Sequence, residues 1–182
     1  MKYWLYGATQ EALQVSAEFK KDYISQKIYA DTTHKEGEVF GDLNDDYLFF
    51  SGLPKQVFSQ RLINEIAKFN PEGVIYQPIT LKLPDGSLNN NWCKITMSAH
   101  VDCIDFKRSE LKLRENGSIQ RMRKLVVDEE KADRAGYDIF RLHGRFTTIV
   151  ISDRIKQAIE SVNPTGIRFE PTDGSDPDWY ES

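Results

Sequence analysis

VFSQRLINEIAKFNPEGVIYQP at residues 57–78 returns as VISDRIKQAIESVNPTGIRFEP at residues 150–171, ungapped and at a constant offset of 93. Eight of the 22 positions are identical: Val57/Val150, Ser59/Ser152, Arg61/Arg154, Ile66/Ile159, Asn70/Asn163, Pro71/Pro164, Gly73/Gly166 and Pro78/Pro171. Average composition gives about one or two by chance. Both copies read as the same local structure. Ser59 or Ser152 offers a hydroxyl oxygen to an orphan backbone N–H and so N-caps a helix of about ten residues. Leu62, Ile66 and Phe69 in one copy, and Ile155, Ile159 and Val162 in the other, recur at i, i+4 and i+7 and form the buried stripe. Asn-Pro then stops the helix, because the residue before proline is driven out of the α region and proline cannot donate to the ladder. Gly73 or Gly166 supplies the turn into a short strand, residues 74–76 or 167–169.

An offset close to half the chain suggests two similar halves, 1–89 and 90–172, packed as one domain spanning 1–182. Duplication explains the identities that capping does not demand; recurrent strand-helix-strand chemistry is the bland alternative. LFFSG (48–52) and FRLHG (140–144) extend the match weakly, across a one-residue gap. Arg61 and Arg154 stand out, since an arginine in the first turn opposes the helix macrodipole and needs another partner. An internal ion pair or loop carbonyls would hold it, with anion binding as the alternative.

Outward from the repeat, residues 93–103 alternate strictly, Cys93, Ile95, Met97, Ala99, Val101 and Cys103 against Lys94, Thr96, Ser98, His100 and Asp102, which predicts one half-buried strand. The apolar phase then slips to Ile104 and Phe106, the mark of a bulge or strand end. ITLKL (79–83) precedes a Pro84-Asp85-Gly86 turn, so a hairpin is expected there. A second hairpin is expected around Asn116-Gly117, a pair suited to the left-handed positions of a tight turn. Residues 128–135 predict a short helix, and residues 9–23 another with Ala12, Val15, Phe19 and Tyr23 on one face. From Asp173 on, the chain is acidic and broken by Pro177, so a mobile tail is expected. Together these patterns predict an α+β fold of mixed and antiparallel sheets with a few packed helices.

Composition bounds the function classes. With 182 residues, 40% apolar and 29% charged, the chain has the balance of a water-soluble globule, with no run long enough to span a bilayer and no signal-peptide pattern. Cys93 and Cys103 match no metal or redox spacing and read as free thiols of a cytoplasmic protein. Residues 31–46 carry Asp31, Glu36, Glu38, Asp42, Asp45 and Asp46 against Lys35 alone, and the C-terminus adds Glu170, Asp173, Asp176, Asp178 and Glu181. Lys107 to Lys124 form a basic stretch without interleaved aromatics, which does not favour nucleic acid. Acids flanked by Phe40 and Tyr47 suit a basic protein partner, so Glu36, Glu38, Asp42, Asp45, Asp46 and Tyr47, with Asp176, Asp178 and Trp179, are the candidate interface. His100 and Asp102, i and i+2 on a strand, are the best pair for catalysis, against the plainer reading of a solvated face. None of the common phosphate-binding, nucleophile-elbow or zinc motifs is present, and the reading calls for no cofactor, metal or membrane contact.

VDCIDFKRSEL (101–111), LVVDEE (125–130), IFRLHG (139–144) and IVISDRIKQAIESVNPTGIRFEP (149–171), in that order, resemble the immunity-protein family encoded beside bacterial polymorphic and secreted toxins, immunity family eleven. The similarity is strongest over 90–171 and loose before it. The resemblance implies a non-enzymatic, cytoplasmic antitoxin that blocks a cognate toxin by stoichiometric binding, and it brings no catalytic residues. Two other classes stay open: an enzyme of a motif-poor class using His100 and Asp102, and a scaffold that self-associates into homo-oligomers.

Overall fold

The computed structural model describes residues 2–8, 29–32, 35–40, 46–50, 56–82 and 87–175. The expected helix over 9–23 lies outside them. The strands are β1 (Tyr3–Ala8), β2 (Tyr29–Thr32), β3 (Lys35–Phe40), β4 (Tyr47–Phe50), β5 (Gln56–Ser59), β6 (Val74–Lys82), β7 (Leu88–Met97), β8 (His100–Val101), β9 (Glu110–Leu113), β10 (Ile119–Lys124), β11 (Ile139–Leu142), β12 (Arg145–Ser152) and β13 (Ile167–Pro171). The helices are α1 (Gln60–Ala67), α2 (Glu129–Ala135) and α3 (Asp153–Glu160). The α+β class is as the patterns predicted.

Six strands close an antiparallel barrel in the order β2-β3-β4-β5-β7-β6, and five form a mixed sheet, β13-β1-β12-β11-β8, in which only the short β8 runs parallel to its neighbour β11. Both copies of the repeat sit in the same four-strand arrangement, β4-β5-β7-β6 in the barrel and β11-β12-β1-β13 in the sheet. In the barrel, β7 lies between β5 and β6, pairing Ser59 with Trp92 and Pro78 with Cys93. In the sheet, β1 lies between β12 and β13, pairing Ser152 with Tyr3 and Pro171 with Trp4. The register is identical, so Tyr3 and Trp4 take the places of Trp92 and Cys93. The strand that completes the second arrangement therefore comes from the start of the chain.

The mixed sheet is buried on both faces. Ile149 and Ile151 face one core with Leu62, Ile66, Ile155 and Ile159 of the two repeat helices, whereas Val150, Phe140 and Leu142 face a second core with Tyr3, Cys103, Val127 and Ala132. That is why the run Ile149-Val150-Ile151 has no polar alternation: a strand covered on both sides loses it.

Several sequence expectations need adjustment. Residues 93–103 keep their predicted alternation of burial, but the strand is broken at Ser98 and Ala99. Ser98 donates from its backbone N–H and its hydroxyl to the Gly73 carbonyl, and Ala99 accepts from Arg141 N–H, so here the chain leaves the barrel for the sheet. Past the phase slip, Ile104 is buried and Phe106 is 54% exposed. Strand β6 does not end at Pro78 but runs through it to Lys82, and its pairing with β2 involves only Asp31 to Tyr29 against Thr80 to Lys82. Pro78 thus sits where the described ladder needs its backbone on one side only.

The other elements follow their signals. The hairpin of β6 and β7 forms, although its turn at 83–86 lies outside the described residues. Asp128 caps α2 by accepting from Lys131 N–H, and Gly136, at φ 76°, closes it. In the hairpin of β9 and β10, only Gly117 (φ 78°) is left-handed. Gly117 N–H donates to the Arg114 carbonyl and Arg114 N–H to the Ser118 carbonyl, a type I turn followed by a left-handed residue in place of the expected two-residue Asn-Gly turn.

Candidate functional site

The most highly organised polar groups stand at the starts of α1 and α3, and they are built by the repeat. Asp46, just before β4, is 4% exposed and accepts from the Ser59 hydroxyl, from two nitrogens of Arg61 and, at 3.0 Å, from Thr165 N–H. Asp138, just before β11 and 5% exposed, accepts from the Ser152 hydroxyl at 2.7 Å and from two nitrogens of Arg154. Each aspartate also receives, at its backbone carbonyl, the N–H of its serine, at 2.9 and 2.8 Å. Both arginines are therefore held as the sequence required, by an internal ion pair; Arg61 adds a loop carbonyl, that of Val162. The bond to Asp138 raises the pKa of Arg154.

The caps diverge from expectation in one copy. The Ser59 hydroxyl accepts from Leu62 N–H at 3.3 Å and is a true N-cap, but Ser152 makes no side-chain cap bond. Asp153 in the first turn of α3 compensates, since a carboxylate is favourable there. Phe69, expected in the buried stripe, lies beyond the end of α1, is 39% exposed, and has the Arg154 guanidinium 5.8 Å above its ring. Asn70 and Asn163 take left-handed φ of 44° and 48°, and Gly73 and Gly166 both have φ 75°, so the stop and turn recur as predicted. Pro71 is buried and Pro164 half-buried. A Cβ on Gly73 would stand 3.1 Å from the Ser98 hydroxyl, within the very contact that turns the chain out of the barrel.

The candidate acidic interface is corrected in part. Asp46 and Tyr47 are buried, the first clamped to Arg61 and the second packed on Phe58, with ring centroids 5.2 Å apart, so neither side chain is open to a partner. Glu36 and Glu38 lie on β3, opposite Asp31 and Tyr29 of β2, while Asp42, Asp45, Asp176, Asp178 and Trp179 lie outside the described residues. The first residues of the expected mobile tail are tied down: Asp173 accepts from Ser175 N–H and hydroxyl, which lower its pKa, and its carbonyl accepts from Arg108.

His100 and Asp102 are both exposed, one on β8 and the other just past its end. Among the described residues, no three His, Cys, Asp or Glu side chains gather at metal-binding distance. Cys93 and Cys103 are free, buried thiols; burial raises the pKa of both, that of Cys103 to about 12, which keeps it protonated and a poor nucleophile at neutral pH. No described helix is long and apolar enough to cross a membrane.

The other organised polar surface is the outer face of the hairpin of β9 and β10. Leu111, Ile119 and Met122 turn inward onto the second core. Glu110, Lys112, Arg121 and Arg123 are exposed and, with Leu111, line an open cavity of about 210 Å³. Ser109 fastens the base of the hairpin, its hydroxyl accepting from Val126 N–H at 2.8 Å and donating to the Val126 carbonyl at 3.2 Å.

Residues 19–174 match the immunity protein family Imm11. The chain belongs to that family. The Imm11 match reaches well ahead of the 90–171 block that carried the resemblance in sequence, taking in the barrel and every strand of the mixed sheet except β1. No curated protein matches the chain. Sequence reasoning missed Asp138 and assigned Asp46 to an interface. A signal was available: Asp46 and Asp138 each stand six residues ahead of the glycine that ends LFFSG or FRLHG, so extending that weak match backward aligns them.

Proposed function

We propose that this chain is an immunity protein that neutralises a cognate bacterial toxin in the cytoplasm by stoichiometric, non-catalytic binding. Membership of the Imm11 family over residues 19–174 is the observation that carries this reading. The side-chain chemistry is consistent with it. Among the described residues, the two buried carboxylates are consumed in pinning helices, the buried thiols stay protonated at neutral pH, and exposed charge lies on outward-facing surface, where it is free to steer a protein encounter. We further propose that the domain arose by duplication of 1–89 and 90–172, supported by the identical register of the two four-strand arrangements.

Co-expression with the protein encoded by the neighbouring gene tests the function. Growth is restored, and the two chains elute as one complex of fixed ratio by light scattering. Toxicity undiminished by co-expression, with no complex, removes the reading. A stable homo-oligomer that ignores the neighbouring protein would point instead to a self-associating scaffold.

A further inference from the structure

We propose that the outer face of the hairpin of β9 and β10, centred on Lys112, Arg121 and Arg123, is the surface that receives an acidic face of the toxin; this rests on the immunity reading above. The first support is a like-charge pair. Lys112 and Arg121 stand directly opposite in the ladder and are both exposed, an arrangement that costs stability in an isolated hairpin. Arg123, two residues on, has Glu110 for a partner, but only at 3.9 Å and with both side chains exposed. Among the described residues no carboxylate pairs with Lys112 or Arg121. Anionic groups docked between them would relieve the repulsion, and the cavity of about 210 Å³ at this point gives them room.

Irregular geometry at this point supports the same assignment. Strand β10 changes register between Ile119 and Arg121 and again between Met122 and Lys124, two irregularities in six residues that bracket Arg121. Such bulges twist a ribbon and re-aim its side chains. Leu111, Ile119 and Met122 hold the inner face to the core, so the cations are presented from an anchored ribbon with little ordering left to do on binding.

Charge complementarity selects the occupant. From Lys107 to Lys124 seven cations face two carboxylates, in a chain whose formal net charge is −4. The rest of the molecule therefore repels a long polyanion, whereas a compact acidic protein surface feels mainly the local field. No aromatic residue lies in that stretch for bases to stack on.

The test is binding of the neighbouring-gene protein to wild type, to K112E/R121E/R123E and to K112R/R121K, with thermal unfolding of each variant checked first. Wild type and K112R/R121K bind alike, and the charge-reversed variant, unfolding at the wild-type temperature, binds about 100-fold more weakly with a flattened salt dependence. Tight binding by the charge-reversed variant overturns this surface and leaves the immunity reading standing. No binding by wild type overturns both. Should K112E/R121E/R123E unfold early, the single variant Arg121→Gln decides: about ten-fold weaker binding is expected, and none lost overturns the proposal. Retention of a single-stranded RNA oligomer by wild type at physiological salt, abolished by the reversal, also overturns it in favour of nucleic acid.

Discussion

The start of α1 and the start of α3 use the same three side chains to different ends. At both, a buried aspartate ahead of one strand grips the serine and arginine that follow the next, which pins the helix N-terminus to the sheet that feeds it. Beyond that, the first set reaches into the other copy through directed bonds: Asp46 N–H donates to the Thr165 carbonyl, its carboxylate accepts from Thr165 N–H, and Arg61 donates to the Val162 carbonyl. The second set makes its cross-copy contact through a ring, Arg154 over Phe69. Identity of sequence thus fixes the local clasp but not the coupling between the two helix-bearing regions, which depends on what each arginine finds on the other side.

The largest effect expected from this contrast is at Asp46. Asp46→Ala strands the Arg61 charge, the Ser59 hydroxyl and the Thr165 N–H together, and lowers unfolding free energy by about 3 kcal/mol. Asp138→Ala leaves only Arg154 and Ser152 without their acceptor and costs about 2 kcal/mol. Both figures sit below the range for fully buried pairs because the arginine side chains are 51% and 52% exposed and recover hydration. Denaturant melts of the two variants check the order. Equal losses would mean that the Thr165 bond contributes nothing and that the two clasps are energetically alike.

A smaller difference separates the serines. Ser59→Ala removes both a helix cap and a bond to Asp46, about 1.5 kcal/mol, whereas Ser152→Ala removes only the bond to Asp138, about 1 kcal/mol or less. Amide hydrogen exchange sharpens the reading: Leu62 N–H loses protection in Ser59→Ala, while Ile155, its counterpart, is unmoved in Ser152→Ala. Loss of protection at Ile155 would show that Ser152 caps α3 after all.

Much of this arrangement was legible in the sequence, for a physical reason. Capping serines, a helical stripe, an Asn-Pro stop and a left-handed glycine all act within about one turn of chain, and local chemistry leaves a local pattern. The barrel and the placement of β1 left almost none. Tyr3 pairs with Ser152 and Trp4 with Pro171, contacts whose only sequence trace is a short apolar run at the N-terminus. Alternation over 93–103 told correctly which side chains are inside but could not show the backbone passing from one sheet to another at Ser98, because burial continued unchanged across the break. Asp46 was misread for a similar reason: within an acidic run, nothing in a single sequence distinguishes the one carboxylate that folds inward onto an arginine from those around it. Arg61 and Arg154 were the better clue, each demanding an anion that only an upstream aspartate supplies.

The smallest effect bears most directly on the contrast between the copies. Phe69→Leu keeps an apolar side chain in place but removes the ring face beneath Arg154, and costs about 0.5 kcal/mol, the scale of a cation–π contact at a partly exposed site. Packing differences alone are of similar size, so the single variant decides little. In an Arg154→Ala background, however, the same replacement should cost about 0.5 kcal/mol less, because the partner of the ring is already gone. A loss equal in both backgrounds would mean that Phe69 merely packs. Arg154 would then contribute no coupling to the first copy, and the directed links between the two helix-bearing regions would belong to Asp46 and Arg61.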